Sequence, residues 1–348
     1  MNSKVLIIII VHNGAEYLGD CFSSLSKITY PKGNFKILVI DNGSNDSSVD
    51  HIKKNWTEIT LIENRENLGF AQANNIGMQY GIKNNFDHVY LLNQDTVVEP
   101  NFLEEAVKLA ESNPKIGAVQ SKLLLYHNQG KINSIGNEIH FLGFAFAGGY
   151  QQPDFAMEPK DITYPAGASV LIKISALKDI GLFNSEFFMY HEDVDLGWRL
   201  WLMGYKVMLA PQSIVYHKYE FSRSIKKYYY MERNRYLTIL QNYRFLTLLL
   251  ISPACLIMDI AMFFYSFFAG WWHEELKVWG YFLKPSSWRQ IFRNRAQIQK
   301  NRRVGDRIVV RRFVGKIEFQ DLENPILRYI ANPILNWYWQ VIKRLIWW

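Results

Sequence analysis

Short apolar runs in this chain repeatedly end in clusters of polar residues, and that punctuation constrains the fold more than any other feature. VIDNGSND closes one run at 39–46 and LLNQDT another at 91–96; HEDVDL follows at 191–196 and IVYHK at 214–218. Runs at 4–11, 36–41, 59–62 and 88–93 read as β-strands, and amphipathic stretches at 15–27, 45–55 and 70–83 alternate with them as helices. Such alternation implies an α/β fold with a mixed, mainly parallel sheet and flanking helices. Ligands of such sheets lie beyond the carboxyl ends of the strands, where the polar clusters fall. Acid- or histidine-bearing strand ends gathered on one sheet edge make a metal-and-phosphate site.

With 49% apolar and 15% aromatic residues in 348, the chain can bury a sizeable core, which excludes a disordered polymer. Cys21 and Cys255 are too few for a disulfide framework, pointing to a reducing compartment or to no use of cross-links. The opening MNSKVLIIII has too short an apolar run for a signal peptide and no small-residue cleavage site after it, so it reads as a buried first strand. The net charge of +7 is local: residues 284–316 hold eleven Lys or Arg and one acid, Asp306. A patch of this kind implies an anionic surface as partner, either phospholipid headgroups or nucleic acid. No recognisable nucleic-acid module accompanies it, and its neighbours read as lipid-facing.

Asp41 ends the second strand, where its carboxylate can accept a hydrogen bond from a base N–H while His12, Asn13 and Gly14 close over base and ribose. The competing reading is a turn cap. Asn93 and Asp95 sit at alternate positions after VYLLN, so strand geometry projects them together as oxygen ligands for a hard divalent ion, Asp95 more directly. Glu192, Asp193 and Asp195 crowd the first turn of a helix where the dipole favours negative charge, and three acids there suggest a general base at the floor of an acceptor pocket. His217 follows a strand and can complete a Mn²⁺ or Mg²⁺ shell with Asp95; an isolated histidine in that place is otherwise structural.

Seven segments together resemble family 2 glycosyltransferases of the GT-A fold, in particular their rhamnosyltransferase-like branch. They are IIIIVHNGAEYL at 7–18, VIDNGSNDSS at 39–48, NLGFAQANNIGM at 67–78, LLNQDTVVEP at 91–100, PAGASVLIK at 165–173, FFMYHEDVDLGWRL at 187–200 and YYYMERNRY at 228–236. The resemblance implies an inverting, metal-dependent hexosyltransferase that takes a sugar from a nucleotide diphosphate, dTDP-rhamnose among the candidates, to a lipid-linked saccharide in surface glycan synthesis. It implies that Val11, Asn13, Asp41, Asn67, Gly69, Asn74, Asn93 and Asp95 bind the nucleotide sugar, and that Asp95 and His217 hold Mg²⁺ or Mn²⁺. Asp193 matches the base of a Glu-Asp pair with Glu192, and Gly167, Ala168, Arg233 and Arg235 are candidates for phosphate or acceptor contacts. Asn93 stands where the family's metal motif has its first Asp. No Gln-x-x-Arg-Trp motif of processive synthases is seen, so addition of one or a few sugars is expected. A catalytically dead glycan-binding scaffold is the alternative from another class, but it would have lost the acids this chain retains.

The expected division is a catalytic domain at 1–244, apolar membrane-associated helices at 245–283, and a basic, Trp-rich C-terminal region at 284–348. Residues 245–272 are apolar enough to cross a bilayer, but Pro253 and Asp259 interrupt them, so a helical hairpin or interfacial pair is expected rather than a span. Asn324, Arg328, Asn332, Asn336, Gln340 and Arg344 recur every four residues as a polar stripe beside Trp337, Trp339, Trp347 and Trp348. The pattern is that of an interfacial helix. Packing on the catalytic domain or on another protomer, in a homo-oligomer, is the competing reading. The expected location is the cytoplasmic face of the cell membrane, peripheral or monotopic, with an anionic membrane surface and no nucleic acid as partner.

Overall fold

The structure, a computed structural model, describes residues 3–219, 225–318 and 325–348. Its centre is β1 (Val5–Val11), whose isoleucine-rich run is buried on both faces, as a central parallel strand requires. It pairs in parallel with β2 (Phe35–Asn42) and with β4 (His88–Asn93), while β3 (Thr60–Asn64) pairs in parallel with β2. Helices Ala15–Leu25, Ser48–Asn55 and Gly69–Lys83 make the connections, close to the expected boundaries.

Beyond β4 the sheet becomes mixed. β11 (Ser169–Lys173) runs antiparallel to β4 and to β6 (Ile116–Leu125), and β12 (Lys206–His217) is parallel to β6. β5 (Thr96–Val98) and β10 (Lys160–Asp161) pair antiparallel with β12, and β7 (Asn128–Ser134) with β6. β8 (Asn137–Ile139) and β9 (Ala145–Ala147) form a separate ribbon. Two reversals around β11 leave β6 and β12 pointing the same way as β1, β2 and β4. One edge therefore collects the carboxyl ends of β1, β2, β4 and β12 together with the start of β11.

The chain folds into two compact units. The first comprises Met1–Asn137, Ala147–Leu200 and Tyr205–Glu220; the second comprises Glu138–Phe146, Trp201–Gly204 and Phe221–Trp348. The division expected at 244 falls inside the second unit, to which helix Lys226–Asn242 belongs.

The second unit is helical, and polar groups organise its interior. Arg235, 1% exposed, pairs with Glu232 (2.8 Å), donates to the Leu142 carbonyl (2.9 Å) and lies over the rings of Phe144 and Tyr236. Buried Asp306 accepts from the Arg244 amide (2.8 Å), Thr247 (2.5 Å) and Arg302 (2.5 Å). Trp339 is fully buried, stacks on Phe141 at 4.8 Å and donates its indole N–H to Phe313.

The hairpin expected at 245–272 is instead one continuous helix, Phe245–Phe268. A proline at 253 cannot bond the Leu249 carbonyl, and the Ser252 hydroxyl donates to that oxygen instead, at 2.9 Å. Asp259 is no lone charge, since Arg235 and Tyr236 meet its carboxylate. By length and composition this helix could cross a membrane, the only one to qualify among the described residues.

Within the terminal stripe, Asn324 lies outside the described residues. Asn332 faces inward, its amide both accepting from and donating to the Ile317 backbone. Leu335, Trp339 and Ile342 share that buried face of helix Asn332–Leu345, while Ile334, Trp337, Val341 and Leu345 are exposed. The helix thus packs by one face and leaves an apolar row on another.

Candidate active site

The first unit assembles the site from loops at one sheet edge. Val11 is paired with Asp41 in the β1–β2 register, so the loops following both strands start side by side. Hydrogen bonds lock them together: the Asn13 amide donates to Ser44 (2.9 Å), and the Asn45 amide donates to the Asn13 side chain (2.8 Å). Asp46 accepts the Ser48 amide at the start of its own helix and also the Ala15 amide of the preceding helix.

The turn-cap reading of Asp41 accounts for one of its two oxygens. Its Oδ2 accepts the Ser44 amide in a turn (3.2 Å), whereas its Oδ1 is buried without a hydrogen-bond partner. A buried carboxylate oxygen lacking a donor is costly unless a ligand supplies one. Asn67 bonds the Asn42 side chain and the Gly69 amide, tying the third connection to the same edge. Gly69 is dictated twice, by a φ of +80° and by the Phe188 ring, which a Cβ would meet at 2.5 Å. Asn74 is buried in the helix with its amide bonded back to Phe70.

Asp95 comes to the site by a route the alternation argument does not describe. β4 ends at Asn93, and Gln94 and Asp95 form the turn into β5. Because β5 pairs with β12 at Thr96↔His217, Asp95 lies beside His217, with Oδ2 3.3 Å from Nε2. Ligand atoms at adjacent octahedral positions, about 2.1 Å from a metal, stand roughly 3 Å apart, so this pair fits one shared divalent ion. The other ring nitrogen, Nδ1, faces the Asn133 amide oxygen at 2.9 Å. An acceptor there holds the proton on Nδ1 and leaves Nε2 its lone pair. No group of three or more His, Cys, Asp or Glu able to hold a metal occurs among the described residues, so water and diphosphate oxygens would complete the shell.

Gln94 also has a place here. Its carbonyl accepts the His12 amide at 3.1 Å, and a Cβ on Gly14 would collide with it at 2.1 Å, which explains that glycine. Sequence reasoning passed over both Asn133 and Gln94. The only signal for Gln94 was its place within LLNQDT; for Asn133 there was none.

Glu192 and Asp193 begin helix Glu192–Leu202, directly after Phe188, Tyr190 and His191, all at positive φ. Such residues cost about 1–3 kcal/mol each and persist where surroundings fix them; here the Phe188 carbonyl receives the Ala71 amide at 3.1 Å. Burial raises Asp193 to about 6, against the lowering effect of the Gly167 and Val194 amides that donate to it at 3.2 and 2.8 Å. Glu192 is raised well above its ordinary value, first by burial and then by the Asp193 charge, and its Oε2 has no hydrogen-bond partner. The third acid, Asp195, is structural: it pairs with Arg199 (2.7 Å), which donates to carbonyls at 180, 181 and 182.

Gly167 and Ala168 join the parts. The Gly167 amide holds Asp193, and the adjoining Ala168 carbonyl accepts the Asn93 amide at 3.0 Å. One dipeptide at the start of β11 thus fixes both the half-buried Asp193 carboxylate and the strand end that leads to Asp95. Both arginines belong to the second unit. Arg235 is the buried, fully engaged cation of the second unit, which withdraws it from phosphate contact, and Arg233 of the same unit is 7% exposed among Tyr229, Tyr230 and Tyr281.

Fold and site together define a nucleotide-diphospho-sugar transferase architecture of the GT-A kind. Solved structures share this fold: a GalNAc-T7 structure with UDP, GalNAc and Mn²⁺ matches at TM-score 0.56 and 19% identity, over 69% of this chain and 48% of that one. Residues 1–349 of Staphylococcus aureus TarS, in complex with UDP, match at TM-score 0.52 and 16% identity, over 98% of this chain and 91% of that one. The profile of glycosyl transferase family 2 matches residues 6–181, just over half of the chain, and the chain belongs to that family. Poly-beta-1,6-N-acetyl-D-glucosamine synthase of Staphylococcus epidermidis is 27% identical over 206 residues, 58% of this chain and 47% of its own length. The Staphylococcus aureus enzyme of the same name is 26% identical over 210 residues, 60% and 48% of the two chains. The chain spans about half the length of these curated relatives. The family match ends before Glu192, Asp193 and His217, whose placement rests on the geometry above.

Proposed function

We propose that this glycosyltransferase moves a sugar from a nucleoside diphosphate donor to an acceptor hydroxyl with inversion, in the synthesis of a cell-surface polysaccharide or glycan. The observation that carries this reading is the Gly167–Ala168 turn, which fixes the half-buried Asp193 carboxylate and the strand end leading to Asp95 and His217 on one sheet edge. A base and a diphosphate-binding end held by neighbouring residues suit a single in-line displacement.

Each residue then has a role. The unpartnered Oδ1 of Asp41 accepts the ring N–H of a base such as uracil or thymine. Asp95 and His217 hold Mg²⁺ or Mn²⁺, and Asn133 keeps the His217 lone pair directed at it. A divalent ion bound there supplies Lewis-acid stabilisation of the departing diphosphate. Asp193 takes the acceptor proton as the hydroxyl approaches the face opposite the leaving group, comparable to the water-activating carboxylate of an inverting glycosidase. Glu192 stays protonated beside it, because the two environments push the pair's titrations apart.

The motif resemblance favours dTDP-rhamnose as donor, and the names of the curated relatives favour a donor of N-acetyl-D-glucosamine. A lipid-linked saccharide at the cytoplasmic membrane face is the acceptor that fits the exposed apolar surface of the second unit. Purified protein tested against a panel of nucleotide sugars should hydrolyse one class slowly in Mn²⁺ or Mg²⁺ and transfer it when acceptor is added. Activity undiminished in excess EDTA, or none with any donor, would overturn the reading.

A further inference from the structure

The second unit holds a cationic cleft that sugar transfer does not use. Arg307 and Arg311, one turn apart in the basic segment, face Lys343 and Arg344 from the terminal helix across a cavity of about 430 Å³. Val310 and Ile346, both nearly fully buried, form an apolar floor, and Trp347, 75% exposed, stands at the rim. Among the described residues no carboxylate forms a salt bridge with any of the four cations. Asp306, the one acid of the basic segment, is buried and already engaged with Arg302, Arg244 and Thr247.

Other cations of the segment have been taken up by the fold. Arg295 donates to the Leu240 and Tyr243 carbonyls, Arg302 pairs with Asp306, and Arg312 lies over the Trp201 ring at 3.5 Å. The four around the cleft are concentrated where like charges repel, an arrangement that an anion relieves. A cavity of this size is in the range of small-ligand sites. The terminal helix also tells which anion. Its exposed row of Ile334, Trp337, Val341 and Leu345 runs up to Arg344 and on to Trp347. An apolar row ending in cations and a rim tryptophan suits the boundary between acyl chains and headgroups, and a nucleic acid would leave that row in water.

We infer that this cleft binds the phosphate of an anionic phospholipid headgroup while the adjoining apolar row enters the bilayer surface. The inference rests on the membrane-face reading above and gives it a specific site. Full-length protein is titrated with vesicles of phosphatidylcholine alone and with vesicles containing one fifth phosphatidylglycerol, using wild type, a cleft variant (Arg307→Gln, Arg311→Gln, Arg344→Gln) and a control variant (Lys284→Gln, Arg289→Gln, Arg293→Gln). All six substituted residues are exposed, and nucleotide-sugar hydrolysis reports that the fold is retained. The cleft variant should lose roughly 100-fold in affinity for the anionic vesicles, about tenfold or less being lost by the control, and neither should change on neutral vesicles. Equal losses in the two variants would mean diffuse charge and overturn the site while leaving the membrane reading in place. Wild type that binds neither vesicle would overturn both, and wild type that instead binds RNA through the same four residues would move the cleft to nucleic acid.

Discussion

At Asp193 two effects oppose each other, burial raising the carboxyl and two backbone amides lowering it, and burial wins to leave it at about 6. A base must be ionised to act, so kcat/KM should rise with pH to a plateau, with its midpoint near 6, when measured from about pH 5 to 8. Asp193→Asn keeps the shape and removes the basicity; turnover should fall by roughly 10²–10⁴-fold with donor binding nearly intact. A tenth of wild-type turnover remaining would take Asp193 out of that role. The same shifts bear on stability. Glu192 and Asp193 are both raised on folding, so the folded chain binds more protons than the unfolded one above about pH 4; the contribution of Asp193 to stability is lost as pH rises through about 6, and that of Glu192 as pH rises through its own raised value. Glu192→Gln should flatten that part of a Tm-against-pH curve. For His217 the revealing neighbour is Asn133. Asn133→Leu leaves Asp95 and His217 in place but removes the acceptor on Nδ1, and should weaken Mn²⁺ binding in calorimetry by about 10–100-fold. Asp95→Ala and His217→Ala should add little to one another if they serve one ion, and fully additive losses would separate them.

At the scale of elements, the first four strands and their helices were legible because period, apolar runs and turn residues all agree there. Asp95 shows where that legibility stops. Its neighbour is set by the antiparallel register of β5 on β12, which pairs residues more than a hundred apart and leaves no local pattern. Helix Phe245–Phe268 shows the opposite failure, since the local signals at Pro253 and Asp259 were strong but Ser252, Arg235 and Tyr236 answer both. The terminal helix was read as striped, and so it is; which stripe faces inward depended on the Ile317 backbone and on Phe141, neither of which belongs to the helix. Trp339 is the anchor of that packing. Trp339→Ala should cost about 3–5 kcal/mol in denaturant unfolding of the second unit, and Trp339→Phe much less, because it keeps a ring on Phe141 and loses only the bond to Phe313.

For the molecule as a whole, charge and apolar surface make separable predictions about membranes. At 1 M salt the Debye length is about 3 Å, so attraction through the basic segment alone would be screened. Exposed Phe268, Trp337, Leu345 and Trp347 are indifferent to salt. The full-length protein should stay with membranes in 1 M salt and leave them only in detergent; recovery in the soluble fraction, monodisperse at low salt, would return the second unit to an oligomer interface. The way the chain is threaded sets a timetable as well. Residues 138–146 leave the first unit to carry Phe141 into the second, and the ring that covers Phe141 is Trp339, about 200 residues later. At ~5–20 residues per second the ribosome needs on the order of 10–40 s to make that stretch. For the last part of that interval, once residue 220 has been made, the first unit is complete while Phe141 still lacks the Trp339 ring. A holdase binding that hairpin would therefore meet a chain whose first unit is complete before its second unit can finish folding.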